Sequence, residues 1–151
     1  MNWFTYTFLA ALCSGLLLQF WLMLRHRNHI LSHRSEVPEA FVDQISLSQH
    51  HTAADYTVAQ VSLWTKELLV GTLLLLGWTL GGGLQFVHDT WNAMALEINP
   101  IILGTGFILS VFLISGILDL PFSIWRTFVL ENRFGFNTTT PARFVMDLLL
   151  K

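Results

Sequence analysis

The chain has 151 residues, 53% of them hydrophobic and 12% charged, with a formal net charge of −2 and a mean hydropathy of +0.55. That much apolar side chain exceeds what a soluble domain of this length can bury, so the composition belongs to a protein dissolved in lipid. Near-neutral charge with no dense basic patch among aromatics excludes nucleic acid as a partner. The single cysteine, Cys13, excludes an intramolecular disulfide and a cysteine metal cluster and reads as a small buried or lipid-facing residue.

Three uncharged apolar runs, 3–24, 68–87 and 98–118, each reach the roughly 20 residues needed to cross a bilayer as helix. The expected fold is all-α: an integral membrane protein with three transmembrane helices and long helical extensions on the cytoplasmic side. The first run starts almost at the initiator Met with no basic segment before it, and it is longer than the core of a cleavable signal, so it is expected to remain as an anchor. Arg25, Arg27, Arg34 and Lys66 lie between the first two runs, and Arg126, Arg133, Arg143 and Lys151 follow the third. The segment 88–97 carries neither Arg nor Lys. The positive-inside tendency then predicts an N-out, C-in topology, which puts the sequon Asn137-Thr138-Thr139 on the side where glycosylation does not occur.

Between the first two runs, Ser46 or Ser48 can cap a helix that meets no Gly or Pro from Gln49 through Lys66, so one long helix is expected to enter the second span. Ala53, Ala54, Tyr56, Val58, Val61 and Leu63 give its first half an apolar character suited to packing, with the extension of the first span as the expected partner. Gly81-Gly82-Gly83 can bend or end the second helix, or admit a close neighbour.

His26, His29 and His33 share one helical face. His26 and His33 stand about 10.5 Å apart along the axis, too far to wrap one ion whose ligands lie ~2.0–2.1 Å from it. His29 with His33, or His51 with Asp55, remains as half a site, beside the plainer reading of interfacial polar residues. No His falls inside a run, which removes a bis-His haem arrangement. Asp119 is the one ionisable group near the end of the third run; it can line a wet cavity or sit at a helix end. Pro121 is expected to break the hydrogen-bond ladder and bend the helix there. Thr140 can cap a last helix with Pro141 in its first turn and an apolar stripe of Phe144, Val145, Leu148 and Leu149.

Several segments together resemble the N-terminal region of the CAAX prenyl protease 1 family, particularly its bacterial branch. They are HRNHILSHR (26–34), Val37-Pro38, ISLSQHHTAADYTVAQ (45–60), the glycine-rich spacing at Leu80 to Gly83 and ISGILDLPFSIWRTFVLENRFGFN (114–137), with AADYT, DLPFS and ENRFGFN the most specific pieces. The resemblance covers nearly the whole chain, 1–151. It implies a membrane zinc endopeptidase whose helices enclose a water-filled chamber, with peptide or protein substrates and the zinc domain on the cytoplasmic side, in a bacterial inner membrane.

In that family a His-Glu-x-x-His helix supplies two zinc ligands and a general base. No such motif occurs in these 151 residues, so no catalytic or metal residue carries over, no cofactor is expected in this chain, and a truncated or split product inactive by itself is the expectation. Asp119 is a candidate chamber-lining residue. Glu131, Arg133, Phe134, Phe136 and Asn137 are candidates for a seam against the missing catalytic portion, with an ordinary interfacial turn as the alternative. A non-enzymatic membrane interaction or assembly subunit is the alternative function. Apart from lipid, the catalytic portion is the expected partner.

Overall fold

The computed structural model describes residues 2–94 and 99–150, which form five α-helices, a short 3₁₀ turn and a π-helix, with no strand among them. Ile98, where the third apolar run was expected to begin, the end of the segment 88–97, and Lys151 lie outside the described residues. Three helices are long and apolar enough to cross a membrane: Trp3–Ser32, Leu47–Thr79 and the continuous stretch Pro100–Glu131. None of the first or third window is buried within the protein, and Trp3, Phe4, Leu17, Ile101 and Phe112 are each more than 70% exposed. Such surfaces are stable when lipid is the solvent, because helices satisfy their own backbone groups.

The chain divides into two units, Met1–Thr65 and Lys66–Lys151. The first holds α1 (Trp3–Ser32) and the leading part of α2 (Leu47–Thr79). Asn2 caps α1 by accepting from Thr5 N–H at 3.1 Å. Ser46 and Gln49 start α2 through a reciprocal capping box: Gln49 N–H donates to Ser46 Oγ at 3.2 Å and Ser46 N–H donates to Gln49 Oε1 at 3.0 Å. With its first orphan donors satisfied and no breaker following, α2 runs unbroken for 33 residues, as expected. The two helices pack as expected too. Arg34 bonds Asp55 through Nε and Nη2, both at 2.8 Å, His50 Nε2 donates to the His33 carbonyl at 3.0 Å, and Thr65 Oγ1 approaches Met23 Sδ at 3.5 Å. Stepping back along α1 moves forward along α2, so they run antiparallel. Ala54, Val61 and Leu63 are the buried residues of this packing.

In the second unit α2 stops at Thr79, and α3 (Gly83–Met94) starts after a turn in which Gly82 has φ +79, a conformation that only glycine adopts at no steric cost. The apolar run 68–87 is therefore not one helix: its final residues belong to α3, whose 12 residues span about 18 Å and cannot cross the hydrocarbon. α3 is two-faced. Gln85, His88, Asp89 and Asn92 bond to one another on one side, while Val87 is buried and Trp91 donates its Nε1–H to Ser110 Oγ at 3.0 Å on α4 (Pro100–Ile124). Trp78 of α2 makes the matching bond to Ser115 at 3.1 Å. α4 does not end at Pro121. Its ladder passes, beyond the proline, into a π-helix, Trp125–Glu131, a change of hydrogen-bond register. Thr140 caps α5 (Pro141–Leu149), with Pro141 in the first turn, as expected.

Candidate functional site

The π-helix and the residues after it carry an ion pair and a polar cavity of the second unit. The wider π-turn carries Arg126, whose Nη2 reaches both oxygens of Glu67 at 2.6 Å. The two side chains are 37% and 24% exposed. The bond uses one guanidinium nitrogen and leaves Nε–H buried without a partner among the described residues, an expense a planar, five-donor group sustains only where neighbours hold it in place. Beside the pair lies a cavity of about 190 Å³ lined by Ser123, Arg126, Thr127, Thr139 and Asp147, with Phe144 and Leu148.

The segment ENRFGFN closes the π-helix. Phe136 N–H donates to the Glu131 carbonyl at 2.8 Å and Gly135 N–H to the Asn132 carbonyl at 3.2 Å, while Gly135 has φ +75. Those two bonds with a left-handed glycine define a Schellman stop, which is why the motif needs glycine between its two phenylalanines. Asn137 then folds the chain toward α5 by accepting from Thr139 N–H at 2.7 Å, and Phe128 and Phe144 meet edge to face at 5.3 Å.

Glu131, Arg133, Phe134, Phe136 and Asn137 are thus brought together in one ordered stop. Glu131 contributes its carbonyl, Arg133 lies 5.7 Å over the Phe134 ring, Phe136 is half exposed and Asn137 is half-buried. Asp119 is not drawn into this group; it is exposed on α4 and makes no ion pair or hydrogen bond among the described residues. Sequence alone does not mark Glu67 and Arg126 as a pair: Glu67 borders the run 68–87, whereas Arg126 lies among the topology-setting cations well beyond the run 98–118.

The histidines hold no metal geometry. No group of three or more His, Cys, Asp or Glu able to hold an ion occurs among the described residues. The His29 and His33 rings lie 4.3 Å apart, tilted at 46°, and His33 Nδ1 lies 2.9 Å from the His29 carbonyl, so that nitrogen is spent on the backbone. Asp55, of the half-site with His51, has both oxygens bonded by Arg34, a contact that raises the Arg34 pKa above its ordinary value through that hydrogen bond. The described residues therefore offer no donor set of the kind a catalytic zinc needs.

Long lipid-solvated helices tied by ion pairs and indole bonds define an integral membrane domain. Residues 26–151 match the model of the CAAX prenyl protease N-terminal domain, described as five membrane helices, and the chain belongs to that family. It is 28% identical over 138 residues to a CAAX prenyl protease 1 homolog of Dictyostelium discoideum, an alignment covering 87% of this chain and 31% of that relative. A homolog of Arabidopsis thaliana is 43% identical over 51 residues, covering 34% and 12% of the two chains. A probable CAAX prenyl protease 1 of Schizosaccharomyces pombe is 42% identical over 43 residues, covering 28% and 9%. The chain spans about a third of the Dictyostelium relative's length. These relatives are eukaryotic and lend no support to a bacterial branch.

Proposed function

We propose that this chain is the anchor and chamber wall of a zinc metalloendopeptidase of the CAAX prenyl protease 1 type, and that by itself it does not hydrolyse peptides. The family match over 26–151, set beside a sequence without His-Glu-x-x-His, carries this reading. Zinc chemistry, peptide substrates and the catalytic portion belong to the complete enzyme. The residues here contribute a fixed edge: the Schellman stop at Gly135 presents Arg133 and Phe136 outward, which suits a seam against a folded catalytic domain, and Asp119 on α4 suits a wall that faces water. The Lys and Arg distribution supports an N-out, C-in arrangement. A bacterial inner membrane rests on the sequence resemblance alone.

The purified chain is expected to bind less than stoichiometric zinc and to leave a fluorogenic peptide uncut. One tightly held zinc per chain by elemental analysis, lost on His29→Gln or His33→Gln, would overturn the reading. Thiol probes introduced at Asn92 and Thr139 after Cys13→Ser are expected to label from outside and from the cytoplasm respectively; labelling of Thr139 from outside reverses the topology.

A further inference from the structure

We propose that the second unit carries a headgroup site for a phosphoethanolamine lipid in the polar cavity between the end of α4, the π-helix and α5. The cavity, about 190 Å³, is smaller than the roughly 300–1,000 Å³ of pockets that enclose drug-sized ligands, so it admits a small polar group rather than a folded segment. Its charges are unusual. Arg126 gives Nη2 to Glu67, and its Nη1 makes no hydrogen bond among the described residues and can donate to an occupant. Asp147 makes no ion pair or hydrogen bond among the described residues. A cation and an anion thus line one cavity without meeting each other, and Ser123, Thr127 and Thr139 add hydroxyls that can donate or accept.

The occupant must answer both charges. An isolated phosphate would face Asp147 unscreened, and an isolated ammonium would face Arg126. A phosphate diester joined to a primary ammonium supplies acceptor oxygens for the guanidinium and N–H donors for the carboxylate and hydroxyls. A quaternary ammonium carries the charge but has no N–H to give. The depth agrees with a headgroup: Ser123 stands five residues, about 7.5 Å, beyond the end of the third apolar run at Leu118, within the polar layer about 5–8 Å thick on each side of a 30 Å core. The walls are also held. Phe128 against Phe144 and the Thr140 cap of α5 fix the helix carrying Asp147 beside the π-helix carrying Arg126.

The test purifies the chain from detergent in an equal mixture of phosphatidylethanolamine, phosphatidylcholine and phosphatidylglycerol with identical acyl chains, and counts retained lipids by native mass spectrometry. One phosphatidylethanolamine per chain is expected, favoured about tenfold over either competitor, the worth of a charge-assisted hydrogen bond. Asp147→Asn and Thr139→Val, neither of which bonds Glu67 or Arg126, are each expected to abolish that preference while leaving the melting temperature unchanged. Preference for phosphatidylglycerol, equal retention of all three lipids, or a phosphatidylethanolamine preference that survives both substitutions overturns the site. Glycerophosphoethanolamine forms the second arm: displacement of the lipid at equal concentration would make the soluble molecule the ligand and overturn the lipid assignment.

Discussion

Removing one partner of the Glu67–Arg126 pair is expected to destabilise the second unit by about 2 kcal/mol, between the ~0–1 kcal/mol of an exposed pair and the ~3–5 kcal/mol of breaking a buried one. Unit charges about 4 Å apart attract by roughly 4 kcal/mol at an effective dielectric constant of 20 and roughly 1 in water. Arg126 is 37% exposed and Glu67 24%, so solvent screening keeps the pair well under the higher figure. Arg126→Met preserves the apolar stem and removes the charge; Glu67→Gln removes the other. Each single variant should unfold earlier in a denaturant titration in mixed micelles. The double variant should lose about 1–2 kcal/mol less than the two singles together, since neither change then strands a charge. A cycle in which the effects add to within about 0.5 kcal/mol would refute the coupling and leave the 2.6 Å contact energetically silent.

Gly135→Ala forces an alanine to φ +75 and should cost about 1–2 kcal/mol, read as a lower melting temperature in detergent, whereas no change would mean the Schellman stop is not held. Trp91→Phe removes the donor to Ser110 and should destabilise by about 1 kcal/mol, an effect that Ser110→Ala should largely erase when the two are combined. Asp89 is held below its ordinary pKa, first by the Gln85 side chain and then by His88. A depressed folded value stabilises the folded state above the unfolded carboxylate pKa of about 3.9 and loses that stability as pH falls through the folded value. Asp89→Asn should therefore lower stability at pH 7 and match the parent in strong acid; a deficit unchanged at low pH would remove the electrostatic cause.

Local signals were legible where one short stretch decides the outcome. The Ser46 cap, the absence of breakers to Lys66 and the Thr140-Pro141 start each depend on neighbours a few residues away, and the structure has all three. Packing of α2 on the extension of α1 was also readable, because Ala54 and Val61 recur on one face. The second run misled because hydropathy counts Leu84 through Val87 with the helix before them, although Gly82 has already turned the chain. At Pro121 a lost donor can produce a kink or a change of register, and the sequence does not choose between them. Glu67 with Arg126 needed the tertiary contact itself, as they lie 59 residues apart.

That separation also bears on how the chain enters the bilayer. While α2 is partitioning from the translocation machinery into lipid, Arg126 has yet to be synthesised, so Glu67 meets the membrane edge without its counter-ion. An ionised group at the centre of a spanning helix costs about 2.5–3.5 kcal/mol on insertion scales, and less toward the interface where Glu67 stands. Neutralisation of Glu67 therefore waits on the third span, so the two helices gain the benefit of the pair together rather than one after the other.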